Sequence, residues 1–199
     1  MKSSIRIFLV MSFALLILAC PSSDEQSDRV SNDNFDFRKT RWGMTVEEVK
    51  SSEANTPSEE KNNIVVYKED YLGMPSTMGY AFIDDKLVKA GYLIRESYED
   101  PDDYINSYEK IKGALIDDFG PPSLDEVKWL DEETDQADPS GKAVCEGRVI
   151  YSSEWITRDS FVTLHLEGAQ NKCRQGVIFE SKENYMMEQE KVESIEPTN

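Results

Sequence analysis

Residues that commonly carry catalysis or bind metals are scarce in this chain of 199 residues, which has one histidine and three cysteines. The sequence has no glycine-rich phosphate-binding loop, no Cys-x-x-Cys pair and no His-Glu-x-x-His motif. These motifs supply phosphate binding, thiolate chemistry and metal binding by imidazoles. An enzyme built from this sequence would depend on carboxylates and tyrosines. We therefore expect a protein that is not an enzyme and that binds no cofactor.

Positive charge is also scarce, because 22 lysines and arginines stand against 39 aspartates and glutamates, for a net charge of -17. Such an acidic surface repels nucleic-acid phosphates and anionic lipid head groups. We therefore expect no nucleic-acid partner and no membrane contact through the folded part. The length suits one domain of ordinary size or two small, similar halves.

Long apolar runs are absent except at the amino terminus, where Ile7 to Leu18 is almost unbroken and follows Lys2 and Arg6. This is the layout of a secretory signal peptide, here covering residues 1–19. The run is shorter than the roughly 20 residues that a membrane-spanning helix needs, which disfavours an uncleaved anchor.

The end of this run, Ile17-Leu18-Ala19-Cys20, resembles the lipobox of bacterial lipoproteins. The resemblance implies that Cys20 begins the mature protein, carries a thioether-linked lipid and has an acyl chain, such as palmitate, on its amino group. Pro21 rather than aspartate follows the cysteine. In a cell with two membranes, the sorting rule of Gram-negative lipoproteins then implies the outer membrane, facing the periplasm. The polar residues 20–34 predict a flexible tether.

Cys145 and Cys173 remain as an even pair in an exported, oxidising compartment. We expect a disulfide between them, with each cysteine just before a strand of one sheet. The alternative is a zinc site, but these cysteines and the single histidine give at most three donors.

The segment from Arg41 to Val49 has the signature of a helix start, because Thr45 can cap the helix and Glu48 can complete a capping box. The strings Gly43-Met44-Thr45 and Glu47-Glu48-Val49 resemble the opening of the SmpA/OmlA (BamE-type) outer-membrane lipoproteins. The resemblance implies a short helix docked on an antiparallel sheet. A capped amphipathic helix without any family relationship is the alternative.

Two apolar runs, Thr77 to Ile83 and Leu87 to Ile94, predict a hairpin across a three-residue loop, Asp84-Asp85-Lys86. This register pairs Phe82 with Val88 and collects the large apolar side chains on one face.

The other face of this hairpin has little side-chain cover, since it includes Gly79, Ala81, Lys89 and Gly91. Strand glycines often mark a place where another backbone comes close. We predict a binding face at these four residues, occupied either by the second half of the chain or by a protein partner. The second half is the simpler occupant, because it needs no further molecule.

The second half of the sequence repeats this order of elements. Helical spacing predicts a helix whose core stripe runs from Ile105 to Phe119 and which ends at Gly120. Further strands are predicted at 63–67, 126–130, 148–156, 160–166 and 176–180. The fold class is therefore α+β, with a helix and an antiparallel meander in each half, about 35–96 and 102–182, and a charged tail at 183–199. This layout resembles the two helix-plus-sheet units of β-lactamase inhibitory protein, to which BamE-type domains are also similar.

The single histidine, His165, falls opposite Ser152 if Ile156 is paired with Phe161, and Glu154 lies on the same patch. Serine, histidine and carboxylate together are the residue types of a catalytic triad. A flat sheet face offers neither an oxyanion hole nor a shaped turn. We therefore expect an ordinary polar surface here.

Two other groups of residues also have a plain explanation. The acidic run from Asp131 to Asp138 lacks the alternating ligands and central glycine of an EF-hand, so we expect a solvated loop and no metal site. Trp42, Trp129 and Trp155 are expected in the core, and the alternative is that they anchor a partner on an exposed face.

The function expected from these observations is that of a lipid-anchored envelope protein. It would act as a non-catalytic binding or scaffold module for another envelope protein. One alternative is a carrier for a small ligand, which a deep apolar pocket would indicate. The other is a secreted, carboxylate-dependent hydrolase.

Overall fold

The described part of the chain covers residues 35–130 and 139–187 of a computed structural model. The predicted signal peptide, Cys20 and the tether lie outside these ranges. So do residues 131–138, expected to be a solvated loop, and residues 188–199 of the predicted tail. What the sequence predicts for these segments stays a prediction.

The described residues form helices and an antiparallel sheet, which is the α+β class predicted from the sequence. The helices are α1 (Val46–Ser52), α2 (Asp102–Phe119) and α3 (Gly141–Cys145), and residues 182–187 are also helical. The strands are β1 (Glu59–Lys61), β2 (Ile64–Tyr71), β3 (Met74–Ile83), β4 (Lys86–Ile94), β5 (Leu124–Trp129), β6 (Val149–Ile156), β7 (Ser160–Ala169) and β8 (Lys172–Ser181). No helix in the described ranges is long and apolar enough to cross a membrane.

All eight strands belong to one sheet, in the order β1-β2-β3-β4-β8-β7-β6-β5. The pairing of β4 with β8 runs from Lys89 opposite Glu180 to Leu93 opposite Gly176. Every other pairing joins strands that follow one another along the chain. The β4–β8 pairing, called the junction below, therefore makes one sheet of the first four and the last four strands.

One face of the sheet is covered by helices, since α2 and α3 contact β7 and β8 while α1 contacts β4. Alternate strand residues point to this covered face and are buried, as Met78, Tyr80 and Phe82 of β3 are. On the other face, called the open face below, Tyr185 packs on Phe161 with ring centroids 4.4 Å apart. Most strand side chains of the open face are half-buried or exposed. The core thus lies between the sheet and the helices.

The predicted capping box at the start of α1 is confirmed. Glu48 donates its backbone N–H to Thr45 Oγ1 at 3.3 Å, and Thr45 donates its own N–H to Glu48 Oε2 at 2.8 Å. Both donors would otherwise lack partners at the first turn of a helix. The box fixes the start of α1 and directs Val49, which is fully buried, into the core.

Helix α2 has the predicted end and most of the predicted apolar stripe, but Phe119, predicted to belong to the stripe, is 41% exposed. Tyr108, Ile111 and Leu115 are buried on one side of it. Gly120 follows with φ +80° and donates its N–H to the Ile116 carbonyl oxygen at 2.8 Å. A glycine accepts this left-handed conformation without strain, so the helix stops here.

The β3–β4 hairpin turns over two residues, Asp84 and Asp85, and not over the three predicted from the sequence. Both residues have positive φ, 49° and 60°, as the tight turns that join twisted strands require. The predicted pairing of Phe82 with Val88 is therefore wrong, because Phe82 pairs with Leu87.

A β-bulge restores the predicted register beyond this turn. Val88 has no partner in the ladder, and from Lys89 onward the pairing is the predicted one, with Gly79 opposite Gly91. The extra residue explains why a two-residue turn does not mix the two faces of the hairpin.

The sequence does not predict β1 or α3. All three residues of β1 are exposed and charged, so no apolar alternation marks the strand. The position predicted for Cys173 is also wrong, because it lies inside β8 and not before it. Cys145 ends α3 and comes shortly before β6, as predicted.

Candidate functional site

The four residues predicted to form a binding face line one groove on the open face of the sheet. Gly79 and Ala81 come from β3, and Lys89 and Gly91 come from β4. The groove extends mainly over β2, β3, β4 and β8, with one lining residue each from β1 and β7. It has a volume of about 650 Å³ and is open along the sheet rather than enclosed. Its floor is a pair of facing glycines.

The two glycines of the floor differ in what surrounds them. A Cβ atom at Gly91 would lie 2.2 Å from the Val177 carbonyl oxygen of β8, whereas one at Gly79 would meet no atom within 4 Å. The backbone that comes close to Gly91 is thus that of β8, which lies beside β4 in the same sheet and does not pack on top of the predicted face. Gly91 is needed for the junction, while Gly79 leaves the floor bare.

Aliphatic side chains give the groove an apolar lining. They come from three strands and are exposed or half-buried: Ile64 and Val66 of β2, Leu93 of β4 and Ile178 of β8. Apolar surface gains free energy when a partner removes it from water, by about 25 cal/mol per Å². The lining therefore favours an occupant that brings apolar groups of its own.

Positive charge is concentrated around this groove, although the chain as a whole is strongly acidic. Among the lining residues the one acidic side chain is Glu59, and four are cationic: Lys68, Lys89, Arg95 and Arg174. Lys89 forms a salt bridge with Glu180 at 3.0 Å, and Arg95 donates from Nε to Thr77 Oγ1 at 3.2 Å. Within the described ranges neither Lys68 nor Arg174 forms a salt bridge. The groove therefore presents positive charge on a negative molecule.

His165 lines the same groove, and its predicted register is confirmed because it lies opposite Ser152. Burial lowers the pKa of His165; Glu167 opposes this shift and Arg174 adds to it. The imidazole is therefore mainly neutral at neutral pH. Among the described residues, no hydrogen bond joins Ser152 Oγ to the imidazole. The arrangement is a polar patch of the sheet, with the Glu154 carboxylate two residues further along β6.

The three tryptophans lie outside the groove. Trp155 is 2% exposed and donates Nε1–H to the Gly120 carbonyl oxygen at 2.8 Å, so it is the core residue that the sequence predicts. Trp42 and Trp129 are half-buried and pack against the core from its edge. Their positions give no support to tryptophan anchors at this groove.

Cys145 and Cys173 lie side by side, with sulfur atoms 2.10 Å apart and Cα atoms 4.4 Å apart. This is the pair predicted from the sequence. A disulfide between them joins the end of α3 to β8, and neither cysteine lines the groove.

Sequence reasoning missed most of the positive charge around the groove, because it singled out Lys89 alone. One signal was available: alternation along β4 places Arg95 on the same face as Gly91. Lys68 and Arg174 needed knowledge of strand pairing. In particular, the junction brings Arg174 near β4, and two strands that are far apart in sequence leave no local trace of their pairing.

No protein-family model matches this chain, and no curated protein or solved structure matches it significantly. The resemblances to BamE-type lipoproteins and to β-lactamase inhibitory protein therefore rest on the sequence motifs alone.

Proposed function

We propose that this protein is a lipid-anchored envelope lipoprotein that acts as a non-catalytic binding or scaffold module for another envelope protein. The lipid at Cys20 would hold it at the outer membrane, facing the periplasm. The observation that carries the proposal is the groove on the open face, where the predicted binding residues Gly79, Ala81, Lys89 and Gly91 come together. Apolar surface exposed to water beside positive charge is a common composition of a docking site.

The partner segment is an acidic one. Four cations and one carboxylate line the groove in a chain whose acidic residues far outnumber its basic ones. Complementary charge speeds encounter with the right partner and disfavours wrong ones. The aliphatic lining adds a need for apolar side chains. The occupant is therefore an extended stretch of another protein that mixes aspartate or glutamate with aliphatic residues.

The architecture belongs to the same proposal. The order of elements is a helix and four strands, then a helix and four strands with α3 inserted, and the two sets meet at the junction. We propose that these are the two halves expected from the resemblance to BamE-type and β-lactamase inhibitory protein-like domains. In this arrangement the groove lies on the first half and on the adjoining part of the second half, β8 and His165 of β7.

The two alternative functions fit the groove less well. A carrier for a small ligand would shield its cargo from water, whereas this groove is open along the sheet. A hydrolase would need an activated nucleophile, and no hydrogen bond between Ser152 and His165 supports one among the described residues.

Site-specific photocrosslinking in intact envelopes tests the proposed partner site. A photoreactive amino acid at Leu93, which lines the groove, should give one discrete crosslinked species. The matched control is Ile150, which is also half-buried on the open face but lies outside the groove. Mass spectrometry should place the crosslink in an acidic segment of a single protein.

Charge reversal decides whether that crosslink depends on the groove. Arg95→Glu with Arg174→Glu should lower the yield at Leu93 by about tenfold. Lys39→Glu with Lys172→Glu changes the net charge equally at exposed positions outside the groove and should leave the yield unchanged. Equal crosslinking at Leu93 and Ile150 would exclude this site. So would a crosslinking yield at Leu93 that the reversal of Arg95 and Arg174 leaves unchanged.

A further inference from the structure

Strand β5 lies at one end of the sheet, and no strand of the described ranges pairs with its outer edge. Free edges invite pairing with another chain, and proteins commonly blunt them with charge or keep them short. The opposite edge is protected in this way, because β1 is the charged tripeptide Glu59-Glu60-Lys61. Strand β5 is longer, with six residues, and mixes three charged side chains with three apolar ones.

Exposed aliphatic side chains are spaced regularly along this edge. Leu124, Val127 and Leu130 are 43%, 44% and 53% exposed. Three charged residues lie between them. Asp125 forms a salt bridge with Lys112 at 3.3 Å, and within the described ranges neither Glu126 nor Lys128 forms one. The edge combines apolar surface with one unpaired charge of each sign.

The backbone shows which groups are free to pair. Leu130 donates its N–H to the carbonyl oxygen of Arg148, the residue before β6, at 2.8 Å. The direction of these groups alternates along an antiparallel strand. The N–H and C=O groups of Asp125, Val127 and Trp129 therefore point away from β6, towards the free edge.

We propose that β5 pairs with β5 of a second copy of this chain, antiparallel and about a two-fold axis at Val127. Val127 then lies opposite Val127 of the second copy, and Leu124 lies opposite Leu130. Glu126 lies opposite Lys128 in both directions. The outward-pointing residues form three reciprocal pairs, each exchanging two backbone hydrogen bonds.

The sequence favours this register over its neighbour. A two-fold axis perpendicular to the sheet keeps both covered faces on the same side, so it must pass through a residue of β5 and not between two. Placing the axis one residue earlier would set Glu126 opposite its own copy and Lys128 opposite Leu124. Like charges directly opposite each other destabilise a sheet. With the axis at Val127, every charge on the open face meets its opposite and every leucine meets a leucine.

Sedimentation velocity on the full mature chain in detergent, from about 1 to 200 μM, tests this pairing because edge-to-edge contacts of small area associate weakly. The parent should become dimeric within this range. Glu126→Lys and Lys128→Glu should each raise the dimer dissociation constant by about tenfold, because each sets like charges opposite each other. The double variant restores opposite charges and should return the constant to near the parent value.

Thermal melting of all four proteins is the control for folding, because both side chains lie at the surface and should leave the melting temperature unchanged. A parent that stays monomeric throughout the range overturns the proposal. Two other results also overturn it, because each would place the contact elsewhere. One is a dimer dissociation constant that neither single reversal changes, and the other is a constant that the double reversal does not return to near the parent value.

Discussion

Gly79 and Gly91 face each other across β3 and β4, yet they have different reasons to be glycine. At Gly91 a larger residue has no room, because the Val177 carbonyl oxygen would lie 2.2 Å from its Cβ atom. At Gly79 there is space on the open face. One glycine serves the folding of the sheet, and the other shapes the groove.

Gly91→Ala should lower the free energy of unfolding by about 1 to 3 kcal/mol, because either the alanine or β8 must shift to avoid the overlap. Gly79→Ala is the matched control directly opposite, where nothing lies within 4 Å of the new methyl group. It should be neutral or stabilise by up to about 1 kcal/mol, because alanine has less freedom to lose on folding. Urea denaturation of both variants measures the difference, and equal losses of stability would contradict this assignment.

At the level of single residues, alternation and burial predicted the part of the groove that lies on β3 and β4. The facing glycines of the β3–β4 hairpin and the position of His165 in the β6–β7 hairpin follow from the same rule. In each hairpin the large side chains of both strands must share one face. The bulge at Val88 could not be predicted, because Leu87-Val88-Lys89 suits a regular strand as well as a bulged one. Part of the positive charge of the groove comes from Arg174, which lies there because β8 pairs with β4, a strand far from it in sequence.

Among the elements, α3 is short and closely packed. Val144 is fully buried, and a Cβ atom at Gly168 of β7 would lie 2.1 Å from the Val144 carbonyl oxygen. Five residues cannot form a stable helix on their own. The position of α3 therefore depends on its neighbours and on the link from Cys145 to Cys173.

Replacing both cysteines by alanine should lower the free energy of unfolding by about 2 to 4 kcal/mol, because the cross-link restricts the unfolded chain across 28 positions. A reducing agent should destabilise the parent by a similar amount and leave the double variant unchanged. Mass spectrometry of the unreduced protein should show Cys145 and Cys173 in one linked peptide. Two free thiols in protein purified from the envelope would refute the pairing.

Elements with an apolar pattern could be predicted from the sequence, and those without one could not. The apolar stripe of α2 and the alternation of β3, β6 and β7 report directly which side faces the core. Strand β1 is held by backbone pairing with β2 and buries no side chain. Helix α3 is set by close contacts, since a Cβ atom at Gly141 would lie 1.9 Å from the Pro101 carbonyl oxygen. Backbone pairing and close contact leave little trace in a hydropathy pattern.

For the whole molecule, the membrane anchor is the prediction that most constrains function. Cys20→Ser should abolish labelling by an alkyne fatty acid and release the protein from the membrane fraction, because no other lipid attachment site is expected. Cys145→Ala with Cys173→Ala serves as the control and should keep both the label and the membrane fraction. Labelling and retention that persist in Cys20→Ser would show that the anchor lies elsewhere.

The charge of the whole molecule and the charge of its groove point to different partners. The excess of acidic residues keeps phosphate backbones away at long range. Within the groove the balance is reversed, and the acidic stretch of polypeptide that we propose as partner would meet Lys68, Arg95 and Arg174 at close range. Net charge, read from composition, describes what is repelled at a distance and says little about what docks.

The strand order also has a consequence for the newly made chain. Synthesis runs from the amino terminus, so β1 to β4 can form hairpins as soon as their residues emerge. The outer edge of β4 stays unpaired until β8 is made, and β8 begins at Lys172, 78 residues after β4 ends at Ile94. Until then β4 presents an unpaired edge, which is the kind of surface that nucleates aggregation. The strand that completes the sheet is thus the last of the eight described strands to be made.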